Sequence, residues 1–121
     1  MGEKVVVIGA SNKPARYAYQ ALVELTNHGH TVIPVNPALK EINGIKVING
    51  LSDIREAIDT VTLYVGPERL EPMVPEIIAL KPKRVISNPG TETHLMQEAC
   101  EKNGIEYIEA CTLVMLSTGQ Y

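Results

Sequence analysis

Short, continuous apolar runs alternate with stretches of helical spacing along this chain. Lys4–Ile8 (KVVVI), Thr31–Val35 (TVIPV), Thr60–Val65 (TVTLYV), Arg84–Ser87 (RVIS) and Glu106–Ala110 (EYIEA) are each bounded by turn residues. Runs this short, with β-branched residues and little polar alternation, predict strands covered on both faces. Between the first two, Ala18, Ala21, Leu22 and Leu25 recur at helical spacing, predicting a helix over Pro14–His28 with that face on the sheet. Pro14 suits the first helical turn, where its missing N–H costs nothing, and Ser11 or Asn12 can cap from upstream. Gly29 is the expected left-handed stop.

The middle of the chain is less regular. Inside the turn-rich stretch NPALKEINGIKVING, Ile45–Ile48 is a candidate short third strand. Ser52 opens a short helix with an acidic first turn. Pro67–Leu80 reads as a helix whose start Pro72 and Pro75 push towards Glu71. Thr91–Asn103 reads as a helix ended by Gly104, with Leu95, Met96, Ala99 and Cys100 on one face, and LVMLS as a closing turn or short helix.

Strand and helix alternate throughout, which predicts an α/β, Rossmann-like, doubly wound and mainly parallel sheet. Five to six strands carry helices on both faces and right-handed crossovers. The 121 residues suffice for one domain, 1–121. The first strand is expected to be central. The ligand crevice then lies at the carboxyl ends of the strands, where the winding reverses.

Composition narrows the function classes. The formal net charge of −3 argues against a nucleic-acid binder, so an anionic ligand must be held by local groups. No run approaches the roughly 18 apolar residues of a membrane span. The opening residues lack the shape of a signal peptide and the Ser or Thr of a myristoylation signal, so the cytoplasm is the expected location. Two cysteines without a CxxC pair and three histidines speak against structural zinc, and free thiols are expected.

Four loops follow strands at the predicted ligand end: GASNKPAR, NPALK, GPERL and NPG. In the first, Gly9 lets the backbone turn sharply beside Ala10. Ser11 offers a hydroxyl, Pro14 leads towards the helix N-terminus with its free N–H groups, and Lys13 and Arg16 add charge. These are the ingredients of a phosphate site. They are also those of any strand-to-helix turn, and the loop alone does not separate the two.

The dinucleotide fingerprint needs three glycines and, about 20 residues on, a carboxylate for the ribose diol. Here Ser11 and Pro14 stand in place of the later glycines. The second strand ends in Asn36 and Pro37, with Lys40 nearby and Glu41 partly offsetting it. A cation without that carboxylate suits a phosphorylated ribose, as in coenzyme A or NADP. The competing reading is an ordinary Asn-Pro turn. Val65, Gly66 and Pro67 break the fourth strand where an adenine could slip in. Arg69 is either a phosphate ligand or a solvated charge, and Ser87–Gly90 either closes the crevice or is a plain turn.

The Gly-Ala-Ser loop with its following Pro and Arg, the Val-Ile-Pro-Val-Asn-Pro of the second strand, and the later Glu-Ile-x-Gly-x-Lys-Val and LSDI closely resemble the small CoA-binding domain proteins. These are single-domain relatives of the N-terminal domain of the succinyl-CoA synthetase α subunit. The resemblance covers nearly the whole chain. It implies a Rossmann-type fold and CoA bound with its phosphates at Gly9–Ser11 and Arg16, its adenosine near Asn36–Lys40 and Val65–Pro67. The 121 residues are expected to be too few for the synthetase's second domain, which carries its phosphorylated histidine.

Residues for chemistry are sparse. His28 and His30 flank Gly29 far from the crevice and are expected on the surface, and His94 sits in a first helical turn. Cys100 reads as core. Cys111 follows a strand at the ligand end, as a packed small residue or a reactive thiol. The expected function is a non-catalytic CoA or acyl-CoA binding module of regulatory or carrier type. The alternatives are an NADP-linked redox or sensor protein, or the nucleotide-binding subunit of a larger CoA-ligase-type enzyme. The partners expected are a small nucleotide ligand and either a second copy or a partner subunit.

Overall fold

The computed structural model of the chain describes residues 2–121. Five parallel strands form the main sheet: β1 (Lys4–Ile8), β2 (Thr31–Val35), β5 (Thr60–Leu63), β6 (Arg84–Ser87) and β7 (Glu106–Glu109). Their order is β2-β1-β5-β6-β7. β2 lies on one side of β1 and the three later strands of this sheet on the other, so the winding reverses between β1 and β5. This is the α/β Rossmann-like arrangement, and the reversal opens a crevice beside the end of β1.

Alternate residues of the strands feed two cores. Val6, Ile8, Val61, Leu63 and Val85 pack with Leu70, Val74 and Ile77, and with Met96 and Cys100. These come from α2 (Pro67–Leu70), α3 (Val74–Ala79) and α4 (His94–Lys102). Val5, Val7 and Val32 pack on the other face with Leu22, Leu25 and Leu116, from α1 (Tyr17–Asn27) and α5 (Thr112–Ser117). Cys100 is fully buried, and desolvation, then the nearby Glu101 carboxylate, pushes its thiol up to about 11. Both cysteines are free.

Several elements depart from the sequence pattern for local reasons. α1 begins at Tyr17, not Pro14: Arg16 N–H donates to the Lys13 carbonyl at 2.9 Å, so Pro14 occupies a tight turn ahead of the helix. Neither Ser11 nor Asn12 caps it; Arg16 is the N-cap and offers no side-chain acceptor. The expected third strand folds back on itself. β3 (Glu41–Ile42) and β4 (Ile45–Lys46) form an antiparallel hairpin. Its turn is Asn43-Gly44, with φ of 51° and 80°, the positive angles that an Asn-Gly hairpin turn supplies. Only Ile48 reaches the main sheet, as a single bridge to Val35.

The helix expected at Ser52 is a single 3-10 turn, Leu51–Asp53, without a side-chain cap. The Pro67–Leu80 helix starts at Pro67 and is broken by the 3-10 turn Glu71–Met73. Pro72 and Pro75 lack the N–H groups that would continue the ladder. Thr93 caps α4 by accepting from Met96 N–H at 3.1 Å, which moves its start past Thr91. LVMLS lies within the short helix α5. Gly29 takes φ of 86°, the left-handed stop expected after α1.

Three ion pairs gather at the amino ends of the strands: Lys4–Glu56 at 2.6 Å, Lys83–Asp59 at 3.2 Å and Arg84–Glu3 at 3.5 Å. His30 is half-buried there, not fully on the surface. It accepts from Glu3 N–H through Nδ1 and packs against the Tyr121 ring, 4.9 Å between centroids. His28 is exposed, its Nδ1 2.8 Å from the Glu24 carbonyl.

Candidate functional site

The turn after β1 is built around two backbone amides that are already spent. Gly9 and Ala10 N–H both donate to the Val35 carbonyl, at 3.2 and 3.1 Å, pinning the turn to the end of β2. Gly9 has φ of +87°, and a Cβ there would stand 2.7 Å from the Tyr64 carbonyl oxygen and 2.9 Å from Val65 Cγ1. The glycine is therefore required by the close approach of the β1 and β5 ends. Ser11 Oγ accepts from Lys13 N–H at 3.1 Å, closing a small turn while its own O–H stays free to donate. Beyond Pro14, the first N–H groups of α1, at Tyr17, Ala18 and Tyr19, have no acceptor among the described residues. No acidic side chain occupies that first turn. An uncapped helix N-terminus of this kind favours an anion.

The second wall is the turn after β2, and Asn36 shapes it. Its Nδ2 donates to the Ala10 carbonyl at 2.9 Å, and its Oδ1 accepts from Ala38 and Leu39 N–H at 2.8 and 3.0 Å. The side chain is committed to holding the first and second loops together. The third wall comes from Tyr64 and Val65 at the end of β5 and from Arg69 and Met73 beyond it.

These walls enclose a cleft of about 680 Å³ at the carboxyl ends of β1, β2 and β5, a volume in the range of small-molecule sites. Of the residues singled out in the sequence, Gly9, Ala10, Ser11, Lys13, Arg16, Asn36, Pro37 and Val65 line it. Pro14, Lys40, Gly66 and Pro67 are exposed outside its lining, Lys40 directly following the lining residue Leu39. The sequence reading missed Asn12, Tyr17, Asn49 and Tyr64, which line the cleft as well. Tyr17 was detectable as a large aromatic at the mouth of the first helix. Asn49 lies in a loop remote in sequence and carried no signal.

The charge of the cleft is one-sided. Lys13, Arg16 and Arg69 line it, and among its lining residues there is no Asp or Glu. None of the three cations joins an ion pair among the described residues. A chain of net charge −3 thus concentrates uncompensated positive charge at one place.

The Ser87–Gly90 turn lies outside the cleft lining, which corrects the suggestion that it closes the crevice. Asn88 is 2% exposed. It donates to Thr62 Oγ1 at 2.7 Å and to the Leu63 carbonyl at 2.8 Å, and accepts from Thr112 N–H at 2.9 Å. Its role is to tie β5 to the start of α5. Cys111, just before α5, is half-buried and also outside the lining. It neighbours Tyr64, whose hydroxyl is buried without a hydrogen-bond partner among the described residues. Burial, reinforced by Cys111, pushes the Tyr64 phenol up to about 12, so it stays protonated. His94 is exposed and pairs with Glu98 at 2.8 Å.

The family model described as "CoA binding domain" matches residues 3–117. The chain belongs to this CoA binding domain family. A curated relative, the uncharacterized protein YneT of Bacillus subtilis (strain 168), is 29% identical over 76 residues, 63% of this chain and 56% of that protein. The acetate–CoA ligase (ADP-forming) of Methanocaldococcus jannaschii is 31% identical over 74 residues, 61% of this chain and 10% of the ligase. The matched stretch is thus little over half of the first relative and a tenth of the second. A crystal structure of an uncharacterized protein shares 44% identity at a TM-score of 0.94, covering 100% of this chain and 99% of that one. Stretches similar to this chain therefore occur both in a small protein and within a much longer ligase chain. Among the described residues, no helix is long and apolar enough to cross a membrane.

Proposed function

We propose that residues 1–121 form a single domain that binds coenzyme A or an acyl-CoA in the cleft between β1, β2 and β5, without chemistry of its own, in a regulatory or carrier role. The observation that carries this reading is the set of three unpaired cations, Lys13, Arg16 and Arg69, in a cleft whose lining has no carboxylate. CoA bears a pyrophosphate and a 3′-phosphate, so its charge matches such a site better than that of an unphosphorylated dinucleotide ribose does. The free N–H groups opening α1 and the Ser11 hydroxyl suit the pyrophosphate, with Arg16 and Lys13 beside them. The Asn36–Leu39 wall and Val65, with Gly66 and Pro67 behind it, suit the adenosine. Lys40, at the rim of that wall, suits the 3′-phosphate. Membership of the CoA binding domain family favours CoA over NADP.

Calorimetry with CoA, acetyl-CoA, NADP and NAD tests this reading. CoA is expected to bind tightest, and the double variant Ser11→Ala/Arg16→Ala to bind it at least about tenfold more weakly while remaining folded. Equal or tighter binding of NAD or NADP, or an unaltered double variant, rejects it.

A second reading has the chain serving as the nucleotide domain of a larger CoA-ligase-type assembly. The similarity to a tenth of an acetate–CoA ligase favours it. It requires a partner that co-elutes with this protein from its native cells and restores acyl-CoA formation when mixed with it. A chain that elutes alone and gains no activity from the fractions argues for the first reading.

A further inference from the structure

The segment after the β3–β4 hairpin runs back along the second wall of the cleft. Ile48 N–H donates to the Pro34 carbonyl at 2.9 Å, and its own carbonyl accepts from Asn36 N–H at 3.1 Å. Val47 N–H donates to the Lys40 carbonyl at 2.9 Å. Asn49 then adds its side chain: Nδ2 donates to the Asn36 carbonyl at 2.8 Å and to the Leu39 carbonyl at 3.0 Å. Those two carbonyls are the ends of the turn that Asn36 Oδ1 closes from inside. Both hydrogens of one amide group are spent on spanning it from outside. Asn49 is exposed and lines the cleft, so its side chain is no part of either apolar core.

We propose that Asn49 is a positioning residue that fixes the turn carrying Leu39 and Lys40, and so sets the preference for a ligand phosphorylated on its ribose. The inference rests on the CoA reading above and assigns a determinant within it. A clamped turn presents the Lys40 ammonium from one place. A loosened turn must be ordered on binding, and the ordering cost falls on the contact that Lys40 makes. The phosphate end of the cleft, built on the Val35 carbonyl and the start of α1, makes no hydrogen bond to Asn49, whereas the Asn36–Leu39 wall does.

The test measures affinities of wild type, Asn49→Ala and Lys40→Ala for CoA and for dephospho-CoA, which lacks the 3′-phosphate. Wild type is expected to prefer CoA by about tenfold or more, the worth of a charge-assisted phosphate contact. Both variants are expected to reduce that preference to about threefold or less, with Asn49→Ala weakening CoA more than dephospho-CoA. Asn49→Ser, too short to reach both carbonyls, is expected to follow Asn49→Ala. Amide exchange at Ala38 and Leu39 is expected to quicken in the Asn49 variants, since their acceptor turn opens.

An Asn49→Ala protein with the wild-type preference, with both ligands weakened by one factor, or with unchanged exchange at Ala38 and Leu39, overturns the inference while leaving CoA binding intact. If Lys40→Ala keeps the wild-type preference, Lys40 is not the reader and the inference falls with it. If wild type does not bind CoA, the functional reading itself has failed.

Discussion

Asn36 donates its side-chain amide to the carbonyl of Ala10 across 2.9 Å, joining the turn after β1 to the turn after β2. The two loops that form the cleft's facing walls are thereby one piece. The cleft keeps its width through this contact and through the Val35 carbonyl, which holds Gly9 and Ala10.

Removing that tie is expected to cost both stability and ligand affinity. Asn36→Ala deletes the bond to Ala10 and the two bonds from Ala38 and Leu39 in a half-buried setting. A loss of about 1–3 kcal/mol in urea-derived stability is expected, with CoA affinity down by more than the substitution of a solvent-exposed lysine far from the cleft, such as Lys102. An unchanged urea midpoint would show that the loops hold together without it.

Two glycines with nearly equal φ provide a graded test of close approach. At Gly29, φ is +86° and a Cβ would meet nothing within 4 Å, so Gly29→Ala carries the left-handed backbone cost alone, about 1–2 kcal/mol. At Gly9 the same angle is joined by the Tyr64 carbonyl and Val65 side chain, both under 3 Å. Gly9→Ala is expected to lose more stability than Gly29→Ala, by thermal melting, and also to weaken CoA binding because the β1–β5 junction floors the cleft. Equal losses would remove the packing argument.

The unpaired cations have a salt signature. Arg16→Ala and Arg69→Ala are each expected to weaken CoA binding by about tenfold at low salt. Raising ionic strength should narrow the gap between variant and wild type as exposed charges are screened. Titrations at two salt concentrations check this, and a gap independent of salt would assign these side chains a packing role instead.

Asp59 provides a pH handle on stability that is remote from the cleft. Its carboxylate accepts the backbone N–H of Lys4 at 2.8 Å and pairs with Lys83 at 3.2 Å. The Lys4 bond first, then Lys83, holds its pKa below the ordinary value of 3.8. A depressed folded-state value stabilises the fold above the unfolded value, and this stability is lost as pH falls through the folded one. Wild type is therefore expected to lose urea resistance below about pH 4, and Asp59→Asn to lose less over that window. Parallel curves for the two proteins would assign the acid sensitivity to other carboxylates.

Asn88 is expected to be costlier to lose than any residue of the cleft rim. It is fully enclosed, and Asn88→Ala strands the Thr112 N–H and takes away the donor to Thr62 Oγ1 and the Leu63 carbonyl at the end of β5. A destabilisation of about 2–4 kcal/mol is expected, with α5 amides exchanging fastest. Local exchange limited to β6 would place the tie elsewhere.

Periodicity alone was enough for the sheet strands and for the core face of α1, because burial on two sides demands continuous apolar runs and burial on one side demands helical spacing. Leu22 and Leu25 or Val5 and Val7 could hardly have been placed otherwise. The first loop was legible for the same local reason: a glycine at a strand end, a hydroxyl and two cations lie within eight residues. What stayed hidden depends on partners distant in the chain. Pro14 looked like a helix start until the Lys13–Arg16 bond made it a turn. Ser87–Gly90 reads in the sequence as either a crevice wall or a plain turn, and only the fold turns Asn88 inward to Thr62 and Thr112. Asn49 is an ordinary loop asparagine until the hairpin carries it back against Asn36 and Leu39. Local pattern records which faces must leave water. Which carbonyl takes which amide, and which cation is left without a carboxylate, is decided only when folding brings remote loops within hydrogen-bond reach.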